Sequence, residues 1–129
     1  MRTVLFTWNY PEACAGKLRY LCMRLGVTWR EVLPREDALP LRRLKPDTPA
    51  ELPGSEASRA FDAPMLLFAG FTMQDLDRFT KAYREAGLPV VPLKAMMTPT
   101  NSLWTALQLY EELSQEHEAM TGERIGRKA

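Results

Sequence analysis

The apolar positions of this chain fall into short blocks that are hydrophobic on both faces, each followed by a longer stretch with helical spacing. Residues 3–8 (TVLFTW) are rich in β-branched and aromatic side chains without polar alternation, which predicts a strand. Asn9 then offers a helix N-cap, Pro11 is tolerated early in a helix, and Glu12 supplies a first-turn carboxylate. Cys14, Leu18, Leu21, Cys22 and Leu25 recur at helical spacing and predict a buried face, with Gly26 as the stop. Residues 27–33 (VTWREVL) predict a second, more polar strand nearer a sheet edge.

The same order returns further along. Residues 65–69 (MLLFA) are apolar on both faces, as expected of a central strand, and Gly70 breaks them. Thr72 is placed to cap the next helix, with Asp75 at the capping-box position. Met73, Leu76, Phe79, Tyr83 and Ala86 mark its inner face and Gly87 its end. Residues 90–95 (VVPLKA) predict a fourth strand, which Pro92 assigns to an edge. Thr98 is expected to cap the last helix with Pro99 at its first position. Leu103, Leu107, Tyr110 and Leu113 form its stripe, with Trp104 adjacent. The tail GERIGRKA is expected to fray.

Between the halves the pattern lapses. Six of the ten prolines fall in positions 34–64, and PDTPAELPGSEAS is too polar to bury much surface, so a mobile surface loop is expected. Leu39, Leu41 and Leu44 can add a few apolar contacts. Arg42, Arg43 and Lys45 form a small basic cluster, read as solvated.

Phe6 and Phe68 correspond at an offset of 62, and Gly26 and Gly87 at 61. The chain is therefore one α/β domain of two βαβ units, 1–33 and 64–97, a proline-rich connection, 34–63, and a C-terminal helix, 98–120. Two folds fit. A doubly wound sheet orders its parallel strands 2-1-3-4. A ferredoxin-like α+β fold orders them 4-1-3-2, with strands two and three as an antiparallel hairpin. A hairpin needs few residues and a parallel crossover a dozen or more, so the long connection favours the parallel sheet.

Composition narrows function mainly by exclusion. A net charge of +1 carries no basic footprint for nucleic acid. No apolar run approaches the ~20 residues of a membrane span, and the N-terminus lacks a secretory pattern, so no membrane partner and a cytoplasmic setting are expected. Cys14 and Cys22, eight residues apart on one helix, are too distant for a disulfide and make no zinc site. There is no GxGxxG, Walker-type loop, CxxC or GxSxG. His117, the one histidine, has no carboxylate three or four residues away. Glu111, Glu112, Glu116 and Glu118 read as a solvated helix face. Met96 and Met97 could line an adaptable surface or fill the core. No catalytic residue, metal site or cofactor is assigned.

One candidate site remains. In a parallel sheet, ligands favour the carboxyl edge where strand order switches, here between strands one and three. That edge would collect Asn9 and Tyr10, then Gly70, Phe71 and Thr72, and then Lys94, Thr98, Thr100 and Asn101, with Trp104 beyond. Free N–H groups at the start of the last helix suit a phosphate or carboxylate, and Lys94 adds a charge. Alternatively, Thr72, Thr98 and Asn101 merely cap helices, and Lys94 discourages pairing at a sheet edge.

Residues 64–120 resemble a small bacterial domain family of unknown function. The resemblance rests on LLFAGF, LPVVPLKA, TPTN, Trp104, LYEEL and the Glu116–His117 pair; the first half is similar more loosely. It implies a self-contained cytoplasmic protein, supplies no activity, and directs attention to LKA…TPTN…W. The first functional reading is a non-enzymatic module that binds a partner protein or a small anionic ligand in a regulatory or accessory role. An enzyme using the Lys94–Asn101 edge is the alternative, and a structural homodimerisation domain is a third.

Overall fold

The structure, a computed structural model, describes residues 3–47 and 59–122. Its elements are β1 (Val4–Trp8), α1 (Ala15–Leu25), β2 (Thr28–Glu31), β3 (Met65–Ala69), α2 (Met73–Glu85), β4 (Leu93–Met96) and α3 (Ala106–Thr121). The strands form one sheet in the order β2-β1-β3-β4, the order expected. Their directions are mixed. β1 and β2 are parallel, as are β3 and β4, but the central pair β1 and β3 is antiparallel. The all-parallel sheet is thereby corrected, and the ferredoxin-like order is not formed.

The connection explains the difference. It leaves β2 and enters β3 at the same end of the sheet, so no return across the sheet is needed. Its described residues cover a face instead. Leu41, Leu44, Phe61 and Ala63 are buried with Trp8, Met65, Leu109 and Tyr110 on the side carrying α3. Phe61 stacks on Tyr110 at 4.5 Å and 7°. Most of the segment expected to be mobile, residues 48–58, lies outside the described residues, as does all but the start of the C-terminal tail.

On the other face α1 and α2 lie together over Leu5, Leu66 and Phe68. A sheet buried on both sides explains why β1 and β3 lack polar alternation. The two βαβ units are related by a local two-fold axis. Phe6 pairs with Leu67, its own counterpart 61 residues on, and Leu5 and Leu66 face the helices. The expected match of Phe6 to Phe68 is therefore one residue out. Phe6 packs on the α3 side and Phe68 on the α1–α2 side, and a one-residue slip reverses the face of every side chain.

Helix ends differ in detail from the expectation. Asn9 caps no helix; a 3-10 turn at Glu12–Cys14 precedes α1. Gly26 ends α1 at φ 70°, and Gly87 follows α2 at φ 73°. Thr72 and Asp75 form the capping box anticipated for α2. Thr98 does not begin α3. It opens a turn into the 3-10 segment Asn101–Leu103, and the helix starts eight residues after Thr98, at Ala106, behind a Thr105–Gln108 capping box. The buried stripe is consequently Ala106, Leu109, Tyr110 and Ser114, with Leu113 half-buried, while Leu103 and Leu107 are 60% and 41% exposed.

Candidate functional site

The antiparallel centre separates the residues expected to converge. β3 ends beside the start of β1, so Asn9 lies at one edge of the sheet and Gly70 and Thr72 at the other. The switch-point crevice between strands one and three is not formed. Asn9 and Gly70 are instead counterparts, both in the left-handed region, at φ 54° and 75°, where each strand turns toward its helix. Glycine takes that conformation freely; asparagine is among the few other residues that tolerate it.

Near Asn9 the edge is closed by a polar cluster. Its Nδ2 donates to the carbonyls of Phe61 and Ala63, each at 3.1 Å, and its Oδ1 accepts from Arg59 Nη1 at 3.2 Å. Arg59 is buried and forks onto Asp37, with Nε to Oδ2 at 2.7 Å and Nη2 to Oδ1 at 3.0 Å, while Nη2 also reaches the Val32 carbonyl. Burial pushes the Asp37 carboxyl above its ordinary range, although Arg59 opposes the shift. Arg30 pairs with buried Glu36 and donates to the Lys45 carbonyl at 2.9 Å. Burial also raises Glu31, against the Thr7 hydroxyl and the backbone N–H groups of Tyr10 and Asn9, which favour its ionised form. Arg59, Asp37 and Glu31 were not singled out in the sequence, because partners 22 and 50 residues from Arg59 leave no local pattern.

At the opposite edge the polar residues satisfy one another. Thr98 N–H donates to Asn101 Oδ1 at 2.8 Å, Asn101 N–H to Thr98 Oγ1 at 3.0 Å, and Asn101 Nδ2 to the Met96 carbonyl at 2.9 Å. Thr100 is exposed in the same turn. The Trp104 carbonyl accepts from Leu41 N–H, tying the turn to the connection. Thr72 is occupied in its capping box. Thr72 thus caps α2, whereas Thr98 and Asn101 cap no helix and are spent on each other within the turn before α3.

Lys94 is separate from them. β4 alternates, so Lys94 faces α2, whereas Ala95 and Met97 pack on the α3 side. Beside Lys94 runs an apolar groove between α2 and β4, with a volume of about 240 Å³. Leu66, Phe68 and Phe79 form its floor, and Leu88, Val90 and Val91 line its side. A second hollow of about 200 Å³ continues past Lys94 toward Leu76 and Met96. The lining hydroxyls are already engaged. Thr80 Oγ1 donates to the Leu76 carbonyl at 2.9 Å, and Tyr83 donates to the Pro89 carbonyl at 2.6 Å while also meeting Tyr10 Oη at 2.8 Å. Lys94 and Arg84 are the two charged residues of the lining, and both are exposed cations.

The two-fold relation shows why the groove exists. Lys94 pairs with Leu66 as Trp29 pairs with Leu5. In the first unit the Trp29 indole occupies this position: it meets Tyr10 edge-on at 6.2 Å, lies beneath Arg19 at 5.3 Å and donates to Thr7 Oγ1 at 3.0 Å. In the second unit a lysine replaces that indole. The link from Gly87 to Leu93 is also longer than that from Gly26 to Thr28, six positions against two, and delivers Leu88, Val90 and Val91 to the groove wall. The sequence points to Lys94, but the wall residues become visible only once the two outer strands are aligned.

Among the described residues no three His, Cys, Asp or Glu side chains converge to hold a metal ion, and no helix is long and apolar enough to cross a membrane. The fold and the groove together define a small three-layer α/β domain with a lateral apolar opening flanked by cations. Residues 64–120 match a family model described as Domain of unknown function (DUF3783), over the same bounds as the strongest sequence resemblance. The matched segment carries β3, α2, β4 and all of α3 but its last residue, and therefore the whole groove lining. No curated protein and no solved structure matches the chain.

Proposed function

We propose that this protein is a non-enzymatic cytoplasmic module that holds a small ligand with an apolar body and an anionic head, in a regulatory or accessory role. The apolar part lies between α2 and β4, and Lys94, with Arg84 nearby, meets the charge. The observation that carries this reading is the exchange of Trp29 for Lys94 at equivalent positions, which opens an apolar groove and puts a cation at its rim. With its polar hydroxyls already bonded, the lining selects for an apolar surface and for negative charge, and for little else. The volume lies just below the ~300–1,000 Å³ of common ligand clefts, which suits a short acyl or aryl carboxylate better than a nucleotide.

A thermal-shift series with octanoate, octanol and inorganic phosphate tests the reading. At ten times its Kd a ligand adds about 1.4 kcal/mol, or about 5 °C for a domain of this size. Octanoate is expected to stabilise most, octanol less because it lacks the charge, and phosphate least because it lacks the apolar body. Lys94→Met should reduce the octanoate shift to that of octanol. Equal shifts in wild type and Lys94→Met, or no shift with octanoate, would overturn the proposal.

A further inference from the structure

A second surface, on the other side of the sheet, is built differently. At the start of α3 the exposed side chains are apolar: Leu103 and Leu107 are well exposed, and Trp104 is half-buried beside them. Capping fixes this arrangement. The Thr105–Gln108 box sets the helix start so that Ala106, Leu109 and Tyr110 take the buried positions, which turns Leu107 outward. Trp104, Leu107, Gln108, Glu111 and Glu112 enclose a shallow concavity of about 300 Å³. Along the rest of α3 every residue charged at neutral pH is acidic: Glu111, Glu112, Glu116 and Glu118, with no lysine or arginine between Ala106 and Thr121. Arg42 and Arg43 are exposed on the 3-10 turn Leu41–Arg43, which packs against Asn101–Leu103.

We infer that this face docks a partner protein through a short amphipathic helix whose apolar residues are flanked by lysine or arginine. The partner's apolar side chains would cover Leu103, Trp104 and Leu107. Its cations would meet the exposed Glu112 and Glu116, away from Arg42 and Arg43. Charge complementarity sets the chemistry of the partner. An acidic or uncharged amphipathic helix meets the same apolar patch but is repelled or unguided along α3, and attraction between exposed charges mainly sets partner choice and encounter rate. Helix-in-groove docking of this kind is anchored by residues at helical spacing.

The test uses the full chain and a designed 14-residue helical peptide of leucine and lysine, with a leucine–glutamate peptide of the same pattern as control. Backbone amide NMR shifts and Trp104 fluorescence, read against a Trp104→Phe variant, report the site. The lysine peptide should bind saturably, with shifts centred on α3 and at least tenfold weaker binding to Leu107→Ser and to the Glu112→Lys/Glu116→Lys double variant. Both substitutions are on exposed positions, and unchanged circular dichroism confirms the fold. Equal binding of the glutamate peptide, shifts centred on the α2–β4 groove, or unchanged affinity in either variant would overturn the inference. So would sedimentation showing that copies of the chain associate through this patch and exclude the peptide. The outcome is independent of the octanoate series, which reads the opposite face.

Discussion

Replacing Arg59 with methionine gives the sharpest test of how the connection is held on the sheet. The Arg59 guanidinium makes two hydrogen bonds to Asp37, one to the Val32 carbonyl and one to Asn9 Oδ1, and lies 5.7 Å from the Phe61 ring. Methionine retains apolar bulk beside Phe61 but no donor. Asp37 is then left with a side chain only 17% exposed and without its cation. Removing one partner of such a buried pair costs about 3–5 kcal/mol, most of it from the charge left behind. For a domain of this size that corresponds to a fall in Tm of about 12–20 °C, at about 4 °C per kcal/mol. Because burial already pushes Asp37 upward, the bereft carboxyl can escape by taking a proton, so the loss should be smaller at pH 5 than at pH 7. Adding Asp37→Leu removes the stranded charge and should restore most of the stability. Thermal and urea unfolding of the three proteins at both pH values measure these terms. A single-variant loss below about 1 kcal/mol, or a double variant no more stable than Arg59→Met, would refute the argument that desolvated charge, rather than packing, dominates here.

Three further outcomes follow from the same geometry. Lys94→Trp should fill the groove as Trp29 fills its counterpart, raise stability by about 1–2 kcal/mol from apolar burial, and abolish the octanoate shift; unchanged ligand binding would show that the groove is not the site. Glu31 has its folded-state pKa raised by burial, so the folded state holds its proton more tightly than the unfolded chain. Its stabilising contribution is full below the unfolded value of about 4.3 and is lost as pH rises through the raised folded value. Glu31→Gln should therefore be neutral or stabilising at pH 7 and should flatten the decline of Tm from mild acid to neutrality, whereas an unaltered pH profile would count against the assignment. Thr105→Ala should cost about 1 kcal/mol through loss of the α3 cap, with reduced amide-exchange protection in its first turn; if Thr98→Ala exposes that turn instead, the helix start is misassigned.

How far the sequence could be read depended on how local each determinant is. β1, β3, α2 and the glycine stops were legible because each rests on a contiguous pattern: unbroken apolar runs, a Thr72–Asp75 box, Gly26 and Gly87. The direction of β3 was not, because it depends on where the connection's apolar residues go. Phe61 and Arg59 lie at the end of a polar, proline-rich stretch, and only their tertiary partners, Tyr110 and Asp37, make them core. The helix start at Ala106 was missed because both Thr98 and Thr105 are good caps; Thr98 is instead drawn into a reciprocal pair with Asn101, itself anchored on the Met96 carbonyl. Of the residues named for the candidate site, Lys94 lies beside the groove, and Asn9, Gly70, Thr72, Thr98, Thr100, Asn101 and Trp104 do not. Lys94 lies within β4 and faces α2, whereas Thr98 falls beyond the end of the strand, in the turn that leads to α3.

The two halves share one backbone frame, so the difference between them isolates what the second half has given up. A tryptophan at position 94 would extend the core along β4, as Trp29 does along β2, and the floor for it already exists in Leu66, Phe68 and Phe79. That stabilisation is left unused. Stability is often lower than it could be where a surface must remain open for a ligand, and filling such a cavity characteristically stabilises the fold while removing function. A lysine at an edge strand does discourage pairing between molecules, but a lysine on any exposed face of β4 would serve that purpose without a groove beneath it. The longer link from α2 to β4 points the same way, since its four additional positions build a wall for a space that a single indole would have filled. Open floor, added wall and a strand lysine at the rim occur together in the second unit, where the first has an indole under Arg19 and a short link, and that difference is what the proposed ligand site requires.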